Sequence, residues 1–202
     1  MTEKKYTNPA TIALHAGWRK DETTNSVTVP IHMTSSYQFD STDHAANLFA
    51  LSELGNIYSR IMNPTNAVFE ERIAALEGGV AALGLASGQA ASAYAIQNLC
   101  SNGDNFVASS HLYGGTYNQF KNPFSDMGIE VRFVDPSDPQ NFADATDDKT
   151  RAYYGEVLPN PSFQVFPLQE VADLGRPLGI PLIVDNTAAP LICRPFDHGA
   201  AI

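Results

Sequence analysis

The sequence is short of cysteine, of basic residues and of long apolar runs, and each shortage narrows what the chain can be. Two of its 202 residues are cysteine. Cys100 and Cys193 lie far apart without metal-ligand spacing, and they read as reduced thiols in a cytoplasmic protein. Twelve Lys and Arg stand against 22 Asp and Glu, a net charge of −10. That balance argues against a nucleic-acid groove or an anionic membrane surface as the main partner. No apolar segment approaches spanning length, and Met1 to Tyr6 has no apolar run behind it, so neither a membrane anchor nor a signal peptide is expected. The five histidines, His15, His32, His44, His111 and His198, form no zinc-type pair, and no metal is expected. There is no glycine-rich dinucleotide fingerprint, no P-loop lysine and no internal repeat, which argues against a nucleotide-binding domain.

What is present is an ordinary globular composition, 44% hydrophobic and 17% charged, in a length at the upper end for one domain. Residues 1–55 carry little core of their own. Residues 11–17 predict one helical turn, residues 27–33 are extended around Pro30, and residues 41–51 predict a short helix capped by Ser41 or Thr42. Such an arm, with exposed apolar residues, packs on something else, in a homo-oligomer on another subunit. Asn63 to Asn66 opens a helix that runs to Glu77. Val68, Phe69, Ile73 and Leu76 mark its apolar face, and Gly78-Gly79 stops it. Beyond it, strands at 80–86, 105–109, 129–134, 152–157 and 180–185 alternate with helices. The helices are expected at 89–99, at 116–127 with a break at Pro123, before Thr146, and at 168–178. This alternation predicts the α/β class: a mostly parallel sheet flanked by helices, with ligands beyond the carboxyl ends of the strands.

The residues just past those ends carry the chemistry. Ser87-Gly88 stands where a strand turns into a helix, whose first N–H groups lack internal partners and carry the positive end of the dipole. Gly88 and Gln89 thus form a cup for an anion such as a phosphate, although taken alone the stretch reads first as a small-residue turn packing helix on sheet. Tyr113, before Gly114-Gly115, offers an aromatic face, or fills core. Asn160 sits between two prolines, as a site residue or an ordinary turn residue. Asp185 ends an apolar strand, where it wants a cation, or caps the next segment. A planar aromatic phosphate with a protonated ring nitrogen would satisfy all four positions, and pyridoxal phosphate has this shape.

From about His15 to the last residue the chain resembles the pyridoxal-phosphate enzymes of cysteine and methionine metabolism. The motifs are Tyr58-Ser59-Arg60, Asn63-Pro64-Thr65, Ala75 to Gly78, Ala86-Ser87-Gly88, Leu112 to Tyr117, Asn160-Pro161 and Val184 to Thr187. The resemblance implies a fold-type I pyridoxal-phosphate transferase, of which this chain is the N-terminal portion. Residues 1–55 would be an arm making inter-subunit contacts, and residues 56–202 an incomplete cofactor-binding large domain without the C-terminal domain. Gly88 and Gln89 would hold the phosphate, with Tyr58 and Arg60 reaching it from a neighbouring subunit and Arg60 binding as a fork. Tyr113 would stack on the ring and move protons, the one acid–base residue expected here. Asp185 would pair with the ring nitrogen, Asn160 would touch the ring oxygen or the substrate carboxylate, and Thr187 would be a further cofactor contact. Tyr58 is also placed at the substrate.

Within the family, residues 86–91 and 192–199 look most like O-acetylhomoserine sulfhydrylases. Synthases and lyases more often have Met at position 89, and methionine γ-lyases typically have Cys at 115. Two departures from the sulfhydrylase pattern touch the choice of substrate. Residues 156–161 lack the usual Ile-Gly pair, and residues 187–190 lack an aromatic after Thr187. The expected reaction is γ-replacement of acetate on O-acetylhomoserine by sulfide or a thiol, giving homocysteine or methionine. The alternatives are cystathionine γ-synthase, a cystathionine or methionine γ-lyase, and a non-catalytic cofactor-binding or assembly fragment. The family's cofactor-bearing lysine is expected beyond Ile202, because Lys4, Lys5, Lys20, Lys121 and Lys149 stand in the wrong context. A cytoplasmic homotetramer, a dimer of dimers with shared active sites, is implied.

Overall fold

The computed structural model describes residues 6–202, so Lys4, Lys5 and the chain start lie outside the described residues. The chain separates at Gly84 and Leu85 into two units.

In the first unit, helices begin where a side chain caps their orphan amides. Helix α1, Pro9–His15, starts at Asn8, whose Oδ1 accepts the Ala10 N–H at 2.9 Å. Helix α2, Thr42–Phe49, is capped by Ser41 as the sequence predicts. Helix α3, Pro64–Glu77, has Asn63 as its cap, Pro64 in its first turn and Gly78 at φ 78° as its stop. Asn63 also donates to the His32 carbonyl at 2.9 Å, the Thr65 hydroxyl to the Pro30 carbonyl at 2.8 Å, and Arg72 to the Ala16 carbonyl at 3.0 Å. Polar ties thus hold the loops on α3. Its apolar face finds little cover in this chain: Val68 and Ala74 are buried, but Phe69 is 57% exposed.

The strand expected at 80–86 does not form. Val80 and Leu83 stand in solvent, and among the described residues no ladder partner pairs with the segment. Apolar character signals burial in the sequence, but a strand also needs a neighbour for its N–H and C=O groups. The Gly84 N–H goes instead to Glu70 Oε1 at 2.7 Å.

The second unit opens with helix α4, Gly88–Leu99, followed by strand β1, Asn105–Ser109. Helix α5, Gly114–Gln119, then runs into a π-helical turn at Phe120–Phe124. Pro123 lacks the N–H that would continue the α ladder, and the chain absorbs it by widening the turn. Strand β2 (Glu130–Val134), helix α6 (Gln140–Asp144), strand β3 (Thr150–Glu156), helix α7 (Leu168–Gly175) and strand β4 (Leu182–Asp185) complete the alternation. The four strands are parallel in the order β2-β1-β3-β4. Ala201 and Ile202 pair with the outer side of β4 in the pattern of a parallel ladder, with Val184 donating to the Ile202 carbonyl at 2.9 Å.

Side-chain alternation sorts the core onto two faces. Phe106, Ala108, Ala152, Tyr154 and Ile183 meet α4 and the π turn, where Phe106–Phe120 and Phe120–Tyr154 pack edge to face at 5.0 and 4.8 Å. Val107, Tyr153 and Leu182 meet α6 and α7. On that second face Gly155 lies under Phe166, and a Cβ there would stand 2.5 Å from the Phe166 ring. At the amino ends of the strands, Asn105 donates to Asp147 at 2.8 Å and accepts from the Thr150 hydroxyl at 2.7 Å, while Arg132 pairs with Asp147 at 2.8 Å. The Asn105 amide, then Arg132, hold the Asp147 carboxyl far below its ordinary range.

Two outcomes follow. Gly155→Ala overpacks a site with no room, and the urea midpoint should fall by the equivalent of about 1–3 kcal/mol. A lowered carboxyl pKa lends stability above the unfolded value and loses it as pH falls. Asp147→Asn should therefore flatten the acid limb below about pH 4, read as apparent Tm against pH.

Candidate active site

The strand order sets where a ligand would go. The β1→β2 connection runs to one side of β1 and β2→β3 to the other, so the topological switch point lies at the carboxyl ends of β1 and β3, where ligands bind in such sheets. Glu156 and Asp185 are register partners at the ends of β3 and β4. Both lie two residues beyond Tyr154 and Ile183, which face α4, so both carboxylates share that face.

Glu156 is 5% exposed and has no cationic partner among the described residues. Both its oxygens accept the Tyr113 N–H, at 2.9 and 3.0 Å. Desolvation, with a smaller push from Asp185, raises its pKa to about 7 against the pull of the Tyr113 amide and the Thr116 hydroxyl. Asp185 Oδ1 takes the Thr187 N–H at 2.8 Å and the Thr187 hydroxyl at 2.5 Å. The second oxygen of Asp185 has no protein partner among the described residues.

Ser87 caps α4 by accepting the Ala90 N–H, which leaves the Gly88 and Gln89 amides without protein partners among the described residues. A Cβ on Gly88 would meet nothing within 4 Å, so the ground before these amides is open. The Gln89 side chain donates to the buried Thr116 hydroxyl at 3.0 Å, and Gln119 donates to the Gln89 carbonyl at 2.9 Å. These two bonds fasten the start of α4 to α5. Tyr113 is half exposed, which removes the core-filler reading. Its ring lies back on Gly115, where a Cβ would come within 2.6 Å of Tyr113 Cε1.

Tyr113, Asp185 and Thr187 follow the carboxyl ends of β1 and β4, and Gly88 and Gln89 open α4, all in the second unit. Asn160 is exposed in the loop after β3, at a cis bond to Pro161. Tyr58 and Arg60 lie in the first unit, with the guanidinium 5.6 Å from the centre of the Tyr58 ring and Tyr58 bridging to Ser36. Glu156 had no assigned role in the sequence reading. Its signal was the one that marked Asp185, an acid closing an apolar strand. Its burial follows only from the strand register.

A family model described as Cys/Met metabolism PLP-dependent enzyme matches residues 10–202. The chain belongs to this family. It is 53% identical over 195 residues to an O-acetyl-L-homoserine sulfhydrylase of Leptospira meyeri, covering 96% of this chain and 44% of that protein. It is 47% identical to a homocysteine/cysteine synthase of Saccharomyces cerevisiae, covering 95% and 44%. A solved O-acetylhomoserine (thiol)-lyase of Campylobacter jejuni, holding a pyridoxyl-lysine phosphate, superposes with a TM-score of 0.93 at 39% identity, over 96% of this chain and 48% of that one. The chain therefore spans less than half the length of these relatives. Its residues fit the family's pyridoxal phosphate: two unpartnered amides at a helix start suit the phosphate, and the spare Asp185 oxygen suits a protonated ring nitrogen. No helix among the described residues is long and apolar enough to cross a membrane.

A carboxyl whose pKa is raised in the folded state adds stability below the ordinary range and loses it as pH climbs from about 4.5 to about 7. In the cofactor-free full-length protein, Glu156→Gln should remove that decline. The wild type should lose on the order of 2–3 kcal/mol relative to the variant between pH 5 and 8, measured by urea unfolding.

Proposed function

We propose that the protein carrying this chain catalyses γ-replacement on O-acetylhomoserine, in which sulfide or a thiol takes the place of acetate at Cγ to give homocysteine or methionine. Among the family's reactions, the choice rests on the 53% identity, across nearly the whole chain, to a relative that bears the sulfhydrylase name. Bound pyridoxal phosphate supplies the electron sink that lets protons leave the amino acid's Cα and Cβ.

The Gly88 and Gln89 amides bind the phosphate. Asp185 keeps the ring nitrogen protonated through its spare oxygen, while Thr187 holds the other oxygen and so orients the carboxylate. Tyr113 would contact the cofactor ring, and its phenol would hold or move a proton there. Asn160 takes the ring oxygen or the substrate carboxylate. Tyr58 and Arg60 complete the phosphate site of a neighbouring subunit, with Tyr58 also at the substrate, in a cytoplasmic tetramer built as a dimer of dimers. Residues 1–55 serve as the arm between subunits, and residues 56–202 as part of the cofactor domain.

The test is turnover by the purified full-length protein. With O-acetylhomoserine and sulfide, homocysteine and acetate should appear in equal amounts, and borohydride reduction should fix one phosphopyridoxyl group per chain. Cleavage of cystathionine or methionine at a higher kcat/KM would overturn the assignment in favour of a lyase. An unlabelled, inactive protein would mean a non-catalytic role. Asp185→Asn should lower kcat by about 10²–10³, as expected for loss of a preorganised electrostatic partner.

A further inference from the structure

The Glu156 carboxyl is the most costly group at the carboxyl end of the sheet. A carboxylate at 5% exposure, beside a second carboxylate on the neighbouring strand and without a cation, destabilises the fold unless its bonds repay it. Those bonds are few. The carboxyl takes the Tyr113 amide with both oxygens and lies against the Thr116 hydroxyl of α5. The groups facing it are Asp185 on β4, the Tyr154 phenol on its own strand, and the Tyr113 amide and Thr116 hydroxyl from the α5 side. The segment leading to Tyr113 is pinned once more, where the His111 N–H donates to the Ser109 hydroxyl at 3.0 Å and that hydroxyl donates to the His111 carbonyl at 3.2 Å. Beyond the second pin the chain enters α5 at Gly114, with no side-chain cap at Tyr113. Among the described residues Glu156 makes the one side-chain bond to the Tyr113 amide, while the Ser110 N–H to the Val134 carbonyl and the Tyr117 N–H to the Tyr113 carbonyl hold the backbone on either side.

We propose that Glu156 is a positioning residue for Tyr113: its buried carboxyl, set by the β3–β4 register, grips the Tyr113 amide and thereby fixes the stance of the exposed Tyr113 phenol. This rests on the reading of Tyr113 as the residue at the cofactor ring. The bond is to the backbone, so it survives any substitution of the Tyr113 side chain. It depends on reach, which an amide of the same length retains and a carboxylate one methylene shorter does not.

The test uses the full-length holoenzyme with Glu156→Gln, Glu156→Ala, Glu156→Asp, Tyr113→Phe and the Glu156→Ala/Tyr113→Phe pair. Hydrogen exchange of the peptide spanning residues 111–117 reads the grip without reference to any reaction. It should remain slow in the wild type and Glu156→Gln, and quicken in Glu156→Ala and Glu156→Asp. Visible circular dichroism of the bound cofactor should follow the same division. In γ-replacement, Glu156→Ala should lose about 10- to 100-fold in kcat with little change in KM, the scale of a misplaced reacting group. Glu156→Gln should stay within about threefold. On the Tyr113→Phe background the Ala substitution should cost almost nothing further, because both changes act through one phenol.

Undisturbed exchange in Glu156→Ala, or a full additional kcat loss in the double variant, would overturn the proposal. Equal damage from Gln and Ala would assign the effect to the carboxyl's charge or proton, and would overturn it too. Should Glu156→Ala fail to fold, the contrast between Gln and Asp decides the question in the same way. A wild type that exchanges as expected but does not turn over O-acetylhomoserine would reject the assigned reaction while leaving the grip intact.

Discussion

Two carboxylates closing adjacent parallel strands are an arrangement that the sheet alone would not favour. Glu156 and Asp185 are held side by side because Tyr153 to Glu156 pairs residue for residue with Leu182 to Asp185, and the packing of Tyr154 and Ile183 beneath them fixes the face on which they emerge. Slipping one of the two strands by one residue would turn its own acid away from α4 and part it from the other. Everything else at this end adjusts to them. Thr187 folds back to satisfy one Asp185 oxygen, the Tyr113 amide turns in to Glu156, and the start of α4 is tied to α5 through Gln89 and Thr116.

The two ends of the same sheet make a physical contrast. At the amino ends Asp147 is saturated: Asn105, Arg132 and the Lys149 amide all bond to it, and its pKa falls. At the carboxyl ends Glu156 is undersupplied and its pKa rises. A group with its full set of partners stabilises the native state, whereas a group short of them stores free energy that a bound ligand can release. The unpartnered amides at Gly88 and Gln89 and the spare Asp185 oxygen belong to the second kind, and all three lie at one end.

Much of this was legible in the sequence, for local reasons. The cap at Ser41 and the proline start and glycine stop of α3 are short-range chemistry, and the structure repeats them. The strands from 105 onward follow from apolar runs bounded by turns. The segment 80–86 defeats the same rule because an apolar run reports a preference for burial and pairing, and here neither is met among the described residues. Asp185 had two competing readings, cap or cation partner. One oxygen does the capping and the other is left over, so the alternatives were never exclusive. The hold of Glu156 on Tyr113 spans 43 positions, and no local pattern announces a side chain bonded to so distant an amide.

The stance of Tyr113 also depends on a side chain that is not there. Its ring occupies the space that a Cβ on Gly115 would need, 2.6 Å from Cε1. A residue with any side chain at this position must push the ring away or swing its own backbone. The amide of Tyr113 is meanwhile held from below by Glu156, so the ring would have to move about its own side-chain bonds while the backbone stayed in place. A single Cβ at that point would thus change the orientation of the phenol without disturbing the sheet, the carboxylates or the start of α4. Specificity within such a family can then move through a residue that touches neither phosphate nor ring nitrogen.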